Sequence, residues 1–324
     1  MDMPVDLEDV ERLERRGDIK GAINLCRDGL VGADDPGVRA VLHLRIGRCL
    51  LETELDEAAD RLSQARLEAE RAGDEVLLGR IDLLDARLAS LRGRHHIAAD
   101  RLASATRRLA GSPDDQIELE LLHAAAERRR GELTRALARL TALPSDELDA
   151  RPLVKAEFLD EMGATHLASG DFNAAIDVLT EAVALDHRLN VSDYASARSR
   201  LLLAAAMLGR GDRKRSRQLI EEVRESFGGS TAGMSDVFAL RGQWFEEGNE
   251  FSLAARDYRT GLDIDRESDD EIGQIQALQR IARVRRKQGN ISSAEESLEE
   301  AWNLASGNDD DVIKAHLYVE EGEP

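Results

Sequence analysis

The chain repeats a pattern of small and apolar positions at intervals of 36 to 41 residues. In the clearest copy Gly170 is followed five residues later by Ala175, and the apolar residues Leu179 and Ala182 stand four and seven positions after that alanine. Positions 0, 4 and 7 form one stripe on a helix, so each copy predicts a helix with one buried face. The small residue anchors each unit and is, in chain order, Ala22, Ala58, Ala98, Ala136, Ala175, Ser216, Ala254 and Ala294.

A second small or apolar position stands twelve residues before each anchor. It is glycine or alanine in most units, as at Gly163 and Gly242. Small side chains let two helix axes approach closely, so this position predicts the contact of a first helix with the second helix of its unit. Each unit is therefore expected to be an antiparallel helix pair.

Glycines mark the turn between the two predicted helices. Two units vary the pattern: Thr53 replaces the glycine before Ala58, and Gly248 stands six residues before Ala254, as if one residue were inserted. Prolines fall between units and not inside the predicted helices. The remaining turn glycines are Gly17, Gly93, Gly131, Gly170, Gly211 and Gly289.

The pattern resembles the tetratricopeptide repeat superfamily, in an extended form like that of bacterial peptide-sensing regulators. The unit around Gly163, Gly170-Asp171-Phe172, Ala175, Leu179 and Ala182 carries the resemblance. It implies an all-α fold, an α-solenoid of about eight helix-turn-helix repeats forming a right-handed superhelix. The array is expected over 1–308, with a capping segment or tail over 309–324. HEAT or armadillo repeats have similar periods and are the alternative fold.

Composition supports an all-helical protein. Aromatic residues are 3% of the chain, and 33% of its residues are charged. The net charge of −20 repels phosphate backbones at long range, so nucleic acid is not an expected partner. The longest apolar run, residues 201–208, is too short to cross a membrane, and the protein is expected to be cytoplasmic.

The sequence contains no catalytic or cofactor motif that we can identify. It has no phosphate-binding glycine loop, nucleophile elbow or HExxH helix, so neither enzymatic activity nor a cofactor or metal is expected. Cys26 and Cys49 lie in helical patterns and are interpreted as buried thiols. The adjacent His95 and His96 are interpreted as polar turn residues, and two basic runs, 213–217 and 283–287, lack interleaved aromatics for base stacking.

The resemblance implies a binding groove lined by the first helices. Its groove positions fall 18, 15, 11 and 8 residues before each anchor, and arginine is frequent among them. Guanidinium groups there would suit an acidic peptide or a terminal carboxylate, although the same side chains could instead be solvated and paired with nearby acids. The lysine and asparagine clamp that holds chaperone tails is missing. The candidate partner-binding residues are Arg80, Leu83, Arg87, Leu121, Arg128, Asp160, Arg198, Gln243, Glu246, Gln279, Arg283 and Arg286.

Three functions follow from such a surface. The first is a non-catalytic scaffold or adaptor that binds a protein or peptide partner in the groove, where the arginines would suit an acidic one. The second is a regulatory module in which a peptide or small molecule changes the superhelix and so controls a protease, kinase or transcription regulator in trans. The third is a self-assembling scaffold, in which the repeat ends join to form a homo-oligomer.

Overall fold

Seventeen α-helices and no strands form in the described part of the chain. A computed structural model describes residues 5–15, 18–51, 54–92, 94–189, 196–227, 233–268 and 270–306. The helices are Leu7–Arg15 (α1), Ile19–Val31 (α2), Pro36–Leu50 (α3), Leu55–Ala72 (α4), Glu75–Leu91 (α5), His95–Arg108 (α6), Pro113–Arg129 (α7), Leu133–Thr141 (α8), Ser145–Ala150 (α9), Pro152–Ala168 (α10), Phe172–Leu189 (α11), Ala197–Gly209 (α12), Arg213–Ser226 (α13), Met234–Glu247 (α14), Phe251–Glu267 (α15), Glu271–Lys287 (α16) and Ile291–Ser306 (α17).

The helices pair along the chain into an α-solenoid. Within each unit a first helix packs on the second helix that follows it, and that second helix packs on the first helix of the next unit. The pairs are α1 with α2, α3 with α4, α5 with α6, α7 with α8, α10 with α11, α12 with α13, α14 with α15 and α16 with α17. The all-helical repeat prediction is therefore confirmed.

The core follows the repeated small positions. The anchor residues are buried in every unit, most of them completely, and so are the positions twelve residues before them. Gly163 and Gly242 show why these positions are small. A Cβ atom at Gly163 would lie 2.4 Å from Cγ of Leu179, and one at Gly242 would lie 2.5 Å from Cε1 of Tyr258. The first and second helices are thus in backbone-to-side-chain contact.

The same close packing joins one unit to the next. Phe172 begins α11, and its ring lies against Gly209 at the end of α12, where a Cβ atom would come within 2.4 Å of Cε1. A larger residue at 209 would displace the ring. Phe172 therefore fills the joint between the fifth and sixth units.

The turns between paired helices use a left-handed residue five positions before the anchor. Gly131, Gly170, Gly211 and Gly289 have φ between 75° and 90°, a conformation that glycine adopts without a Cβ clash. In the seventh unit this position is held by Asn249 at φ 59°, whereas Gly248 has φ −81°. The expected insertion in this unit is wrong: asparagine tolerates the left-handed region and the spacing of five is preserved. Gly17 and Gly93 lie outside the described residues.

Short polar residues after these turns begin the second helices. The Asp18 carboxylate accepts a hydrogen bond from the Gly21 amide at 2.9 Å, and Asp171 accepts one from Ala174 at 3.1 Å. Asp212 does the same with Arg215 at 3.2 Å. Each bond satisfies one of the free amides at a helix start.

The fourth unit departs from the pattern. Its second helix, α8, has nine residues where α11 has eighteen, and the short helix α9 follows between Pro144 and Pro152. The repeat pattern does not predict α9. The truncation leaves an open cleft of about 590 Å³ between α7 and α8, lined in part by Glu127, Arg135 and Arg139.

No helix in the described ranges is long and apolar enough to cross a bilayer. The segment 309–324, expected to be a cap or tail, lies outside those ranges.

Candidate functional site

The first helices form the inner face of the solenoid. Neighbouring first helices contact one another, as α10 contacts α12 and α12 contacts α14. Two ion pairs also skip an entire unit: Arg48 of α3 reaches Glu118 of α7 at 3.2 Å, and Arg87 of α5 reaches Glu157 of α10 at 3.7 Å. Side chains can bridge alternate units only on the inside of a curve. We call this face the concave groove.

Glu161 of α10 lies at the centre of the concave groove. Its carboxylate is buried and accepts two hydrogen bonds from Arg128 of α7, at 2.6 and 3.3 Å. Arg198 of α12 approaches the same carboxylate from the other side, at 3.6 Å. Glu161 thus attracts one guanidinium from the unit before it and one from the unit after it, and it binds Arg128 in a two-point ion pair.

Arg129 lies beside this cluster and has no carboxylate partner among the described residues. Desolvation by the residues around it and the positive charges of Arg128 and Arg198 lower its pKa to about 10, against the attraction of Glu161, although part of the side chain is exposed. Arg129 and Arg198 are therefore the two guanidiniums here with capacity to bind an added anion. The eight-residue spacing selected Arg128 and missed Arg129, although the run 128–130 of three arginines marks the place.

Asp160 adjoins the cluster and is buried, with Oδ1 unpartnered. Burial raises its pKa to about 6, against the attraction of Arg198, whose guanidinium lies 3.8 Å from Oδ2. The Asp160 carboxylate is still largely ionised at neutral pH, but its distance from Arg198 makes the ion pair weak. Arg198 is thus held near the groove centre by two long ion pairs, to Asp160 and Glu161, and can bind a closer anion.

The groove residues of the seventh and eighth units are bound to one another. Glu246 of α14 is buried and accepts hydrogen bonds from Arg283 at 2.9 and 3.1 Å, from Lys287 at 2.8 Å and from the Tyr258 hydroxyl at 2.8 Å. Burial raises the pKa of Glu246, but the hydrogen bonds from both cations outweigh it and hold the pKa at about 2. Glu246 and Arg283 thus connect α14 to α16.

The remaining groove candidates divide by exposure. Leu83 and Leu121 are buried in the core and do not reach the groove surface, because their positions rotate toward the second helices. Arg80 is paired with Asp115 of α7 at 2.9 Å. Gln243 is exposed and donates to Glu247 at 3.3 Å. Gln279 and Arg286 of α16 are half-buried.

The two thiols have no accessible chemistry in this conformation. Cys26 and Cys49 are free and buried, which confirms their interpretation as core residues. Burial raises the pKa of Cys26 to about 11, so the nucleophilic thiolate is scarce at neutral pH. His95 and His96 begin helix α6, so their interpretation as turn residues is wrong. Their side chains lie outside the described part of the structure.

Comparison with known proteins finds likeness in fold. No family model matches the chain, and no curated protein does. A Rap protein complexed with the competence and sporulation factor superposes with a TM-score of 0.69 at 14% identity, covering 88% of this chain and 83% of that one. The apo quorum sensor NprR from B. thuringiensis gives 0.59 at 15%, covering 92% and 86%. Aspartyl phosphate phosphatase F from Bacillus subtilis gives 0.58 at 11%, covering 91% and 92%.

Proposed function

The chain is a tetratricopeptide-type α-solenoid, and from this premise we propose that it is a non-catalytic interaction module that holds a protein or peptide partner in the concave groove. The observation that carries the proposal is the centre of the groove, where Arg129 and Arg198 have unused hydrogen-bonding capacity. Guanidinium groups bind carboxylates in planar, two-point geometry. The partner is expected to present a carboxylate, from an acidic side chain or a chain terminus.

The paired arginines have a different part in this proposal. Arg128 orients the buried Glu161, and Arg80, Arg87 and Arg283 connect first helices of different units. These ion pairs fix the spacing of the helices that line the groove. Arg129 and Arg198 would then meet the partner on a preformed surface, which lowers the entropic cost of binding.

Likeness in fold also supports a regulatory form of this function. The Rap protein named above was solved with the competence and sporulation factor, and NprR is a quorum sensor. In this chain, the pairs Arg48–Glu118 and Arg87–Glu157 span alternate units, so a change in superhelical pitch would stretch or shorten them. A ligand that prefers one pitch would shift the population toward it and could control an effector in trans.

Capture of the partner followed by hydrogen exchange tests the groove assignment. The full chain is used as bait, and the recovered complex is compared with the free protein by amide exchange. We expect slower exchange in α7, α10 and α12 together, because the partner would cover all three first helices. Protection confined to second helices, such as α11 and α13, would place the partner outside the groove and refute the proposal.

Small-angle scattering separates a scaffold from a sensor. A sensor changes its maximum dimension when the captured ligand is added, and the double variant Arg48→Gln/Arg87→Gln should change the same dimension without ligand. A scaffold keeps its dimension within error on binding. An unchanged maximum dimension would exclude the sensor form and support the scaffold form.

A further inference from the structure

Helix α13 begins with a dense group of cations on the outside of the solenoid. Arg213, Lys214, Arg215 and Arg217 fall within its first five residues. Lys214, Arg215 and Arg217 are exposed, and none of them has a carboxylate partner among the described residues. We call these four residues the α13 basic patch.

Two physical effects oppose such a group at this place. The amino end of a helix carries a partial positive charge, which is stabilised by anions and destabilised by cations. The four side chains also repel one another. The protein carries a net charge of −20, yet the patch is not neutralised by its abundant acids, whereas many groove arginines are. Because these positive charges destabilise the start of the helix, their presence indicates that an anionic partner binds them.

Trp244 of α14 anchors the patch. The Arg213 guanidinium lies 4.1 Å from the centroid of the indole ring and that of Arg217 lies 5.2 Å from it. The indole Nε1 donates a hydrogen bond to the Arg213 carbonyl at 2.8 Å. These cation–π contacts hold two guanidiniums in place without neutralising them, because the ring carries no net charge. The patch is therefore preorganised for an anion.

The same contacts favour a polypeptide over a nucleic acid. The Trp244 ring is half-buried and one of its faces is covered by Arg213, so it is a poor platform on which a base could stack. Carboxylates at Glu221 and Glu222 follow the patch on the same helix, which limits the length of anion that can lie along it.

We propose that the α13 basic patch is a second docking surface, which binds a short acidic segment of a partner protein containing about two or three neighbouring carboxylates. It lies on a second helix, whereas the concave groove is lined by first helices. The two surfaces are therefore separate, and one molecule could hold one partner in the groove and another on its outer face. This arrangement is that of an adaptor joining two proteins.

The test titrates a fluorescently labelled hexaglutamate peptide into the full chain at low salt, with anisotropy as the readout. Lys214→Glu/Arg215→Glu is the patch variant and leaves the Trp244 contacts intact. Lys20→Glu/Arg188→Glu is the control: both residues are exposed, and the change in net charge is identical. We expect the dissociation constant to rise at least about tenfold in the patch variant and less than about twofold in the control.

A groove variant, Arg129→Gln/Arg198→Gln, keeps this result separate from the proposed groove function. We expect it to keep the hexaglutamate binding that the patch variant loses, although the groove guanidiniums could contribute a second, separate binding event. If the groove variant loses the peptide and the patch variant retains it, the patch proposal fails while the groove function is supported. Equal binding by the patch variant and the charge-matched control would also overturn the proposal.

Two further measurements complete the design. The melting temperature of the patch variant should not fall, since acids replace cations at a helix start, so lost binding would not reflect unfolding. Labelled single-stranded hexathymidylate is titrated in parallel. Tighter binding of the oligonucleotide than of hexaglutamate, lost in the patch variant, would replace the acidic polypeptide with a nucleic acid and contradict the proposal.

Discussion

At the scale of single residues, the small anchors hold the helix pairs together. Ala175 is completely buried where α11 meets its partner helix, so a leucine there would have no room. We predict that Ala175→Leu lowers the free energy of unfolding by about 1–3 kcal/mol through overpacking. Chemical denaturation measures this directly. Ala184→Leu, on the exposed face of the same helix, should change stability by less than about 0.5 kcal/mol.

Asn249 provides a second residue-scale test. Because Asn249, and not Gly248, has the left-handed backbone, we predict that Asn249→Ala costs about 1 kcal/mol or more of stability. Gly248→Ala should cost less, since its φ of −81° suits any residue and the one atom that a Cβ would approach within 3.0 Å is the flexible end of Arg213. The melting temperatures of the two variants, measured by thermal unfolding, show which substitution is more destabilising. If Gly248→Ala were the more destabilising variant, the one-residue insertion expected from the sequence would be supported instead.

Asp160 makes stability depend on pH. Its folded-state pKa of about 6 lies above the ordinary 3.8, so the folded protein binds this proton more tightly than the unfolded chain. The ionised carboxylate therefore reduces stability above pH 6, and this penalty disappears as pH falls below 4. We predict that Asp160→Asn raises the free energy of unfolding at pH 7 by up to about 3 kcal/mol.

Urea unfolding of the Asp160 variant at intervals between pH 4 and 7 measures this effect. The gain should shrink steadily toward pH 4. Asp177→Asn, on the exposed face of α11, serves as the control and should show no such trend. A gain that grew on acidification would mean that burial does not set the protonation of Asp160.

At the scale of helices, buried ion pairs fix how neighbouring units meet. Glu246 joins α14 to α16, and its pKa of about 2 means that its contribution is complete above pH 4.5 and is lost as pH falls toward 2. We predict that Glu246→Gln costs about 2 kcal/mol at neutral pH, a value reduced because Arg283 and Lys287 are partly solvated.

Faster amide exchange in α14 and α16 should accompany the Glu246→Gln variant. Glu247→Gln changes the next residue, which is exposed, and should alter stability by less than about 0.5 kcal/mol. Equal losses in the two variants would show that the buried network does not hold these helices together.

The repeat pattern predicted the helix pairs because steric rules act locally. The small anchors and turn glycines must recur wherever two helices touch, so they are visible without the structure. The repeat pattern did not predict helix α9 or the truncation of α8, because no repeated position marks an insertion. Asn249 was missed because the neighbouring Gly248 offered a more familiar turn residue. Each failure concerns one departure from the repeat.

The groove chemistry was only partly predictable for a different reason. Spacing identifies which side chains face inward, but their pairing depends on the curvature that brings alternate units together. Arg128, Arg198 and Arg283 were all assigned to groove positions, yet Arg128 and Arg283 form short ion pairs whereas Arg198 approaches its carboxylates at 3.6 and 3.8 Å. Arg129 lies one residue from a predicted position. Curvature is a property of the assembled array.

At the scale of the whole molecule, the solenoid combines an acidic body with two local groups of cations. Groove cations at the centre of the first-helix face and the α13 basic patch on the outer face both lie within a chain of net charge −20. Long-range repulsion by the body would exclude polyanions, while local guanidiniums would accept a short carboxylate-bearing segment. Selectivity for protein partners would follow from this contrast.

The dissociation constant of the captured partner, compared between the wild type and Arg129→Gln/Arg198→Gln, tests the central claim most directly. Calorimetry with Lys20→Gln/Arg188→Gln as the charge-matched control isolates the groove. We predict that the groove variant binds at least about tenfold more weakly, because two charge-assisted hydrogen bonds are lost, while the control stays within about twofold. Equal affinities for the groove variant and the wild type would contradict the account.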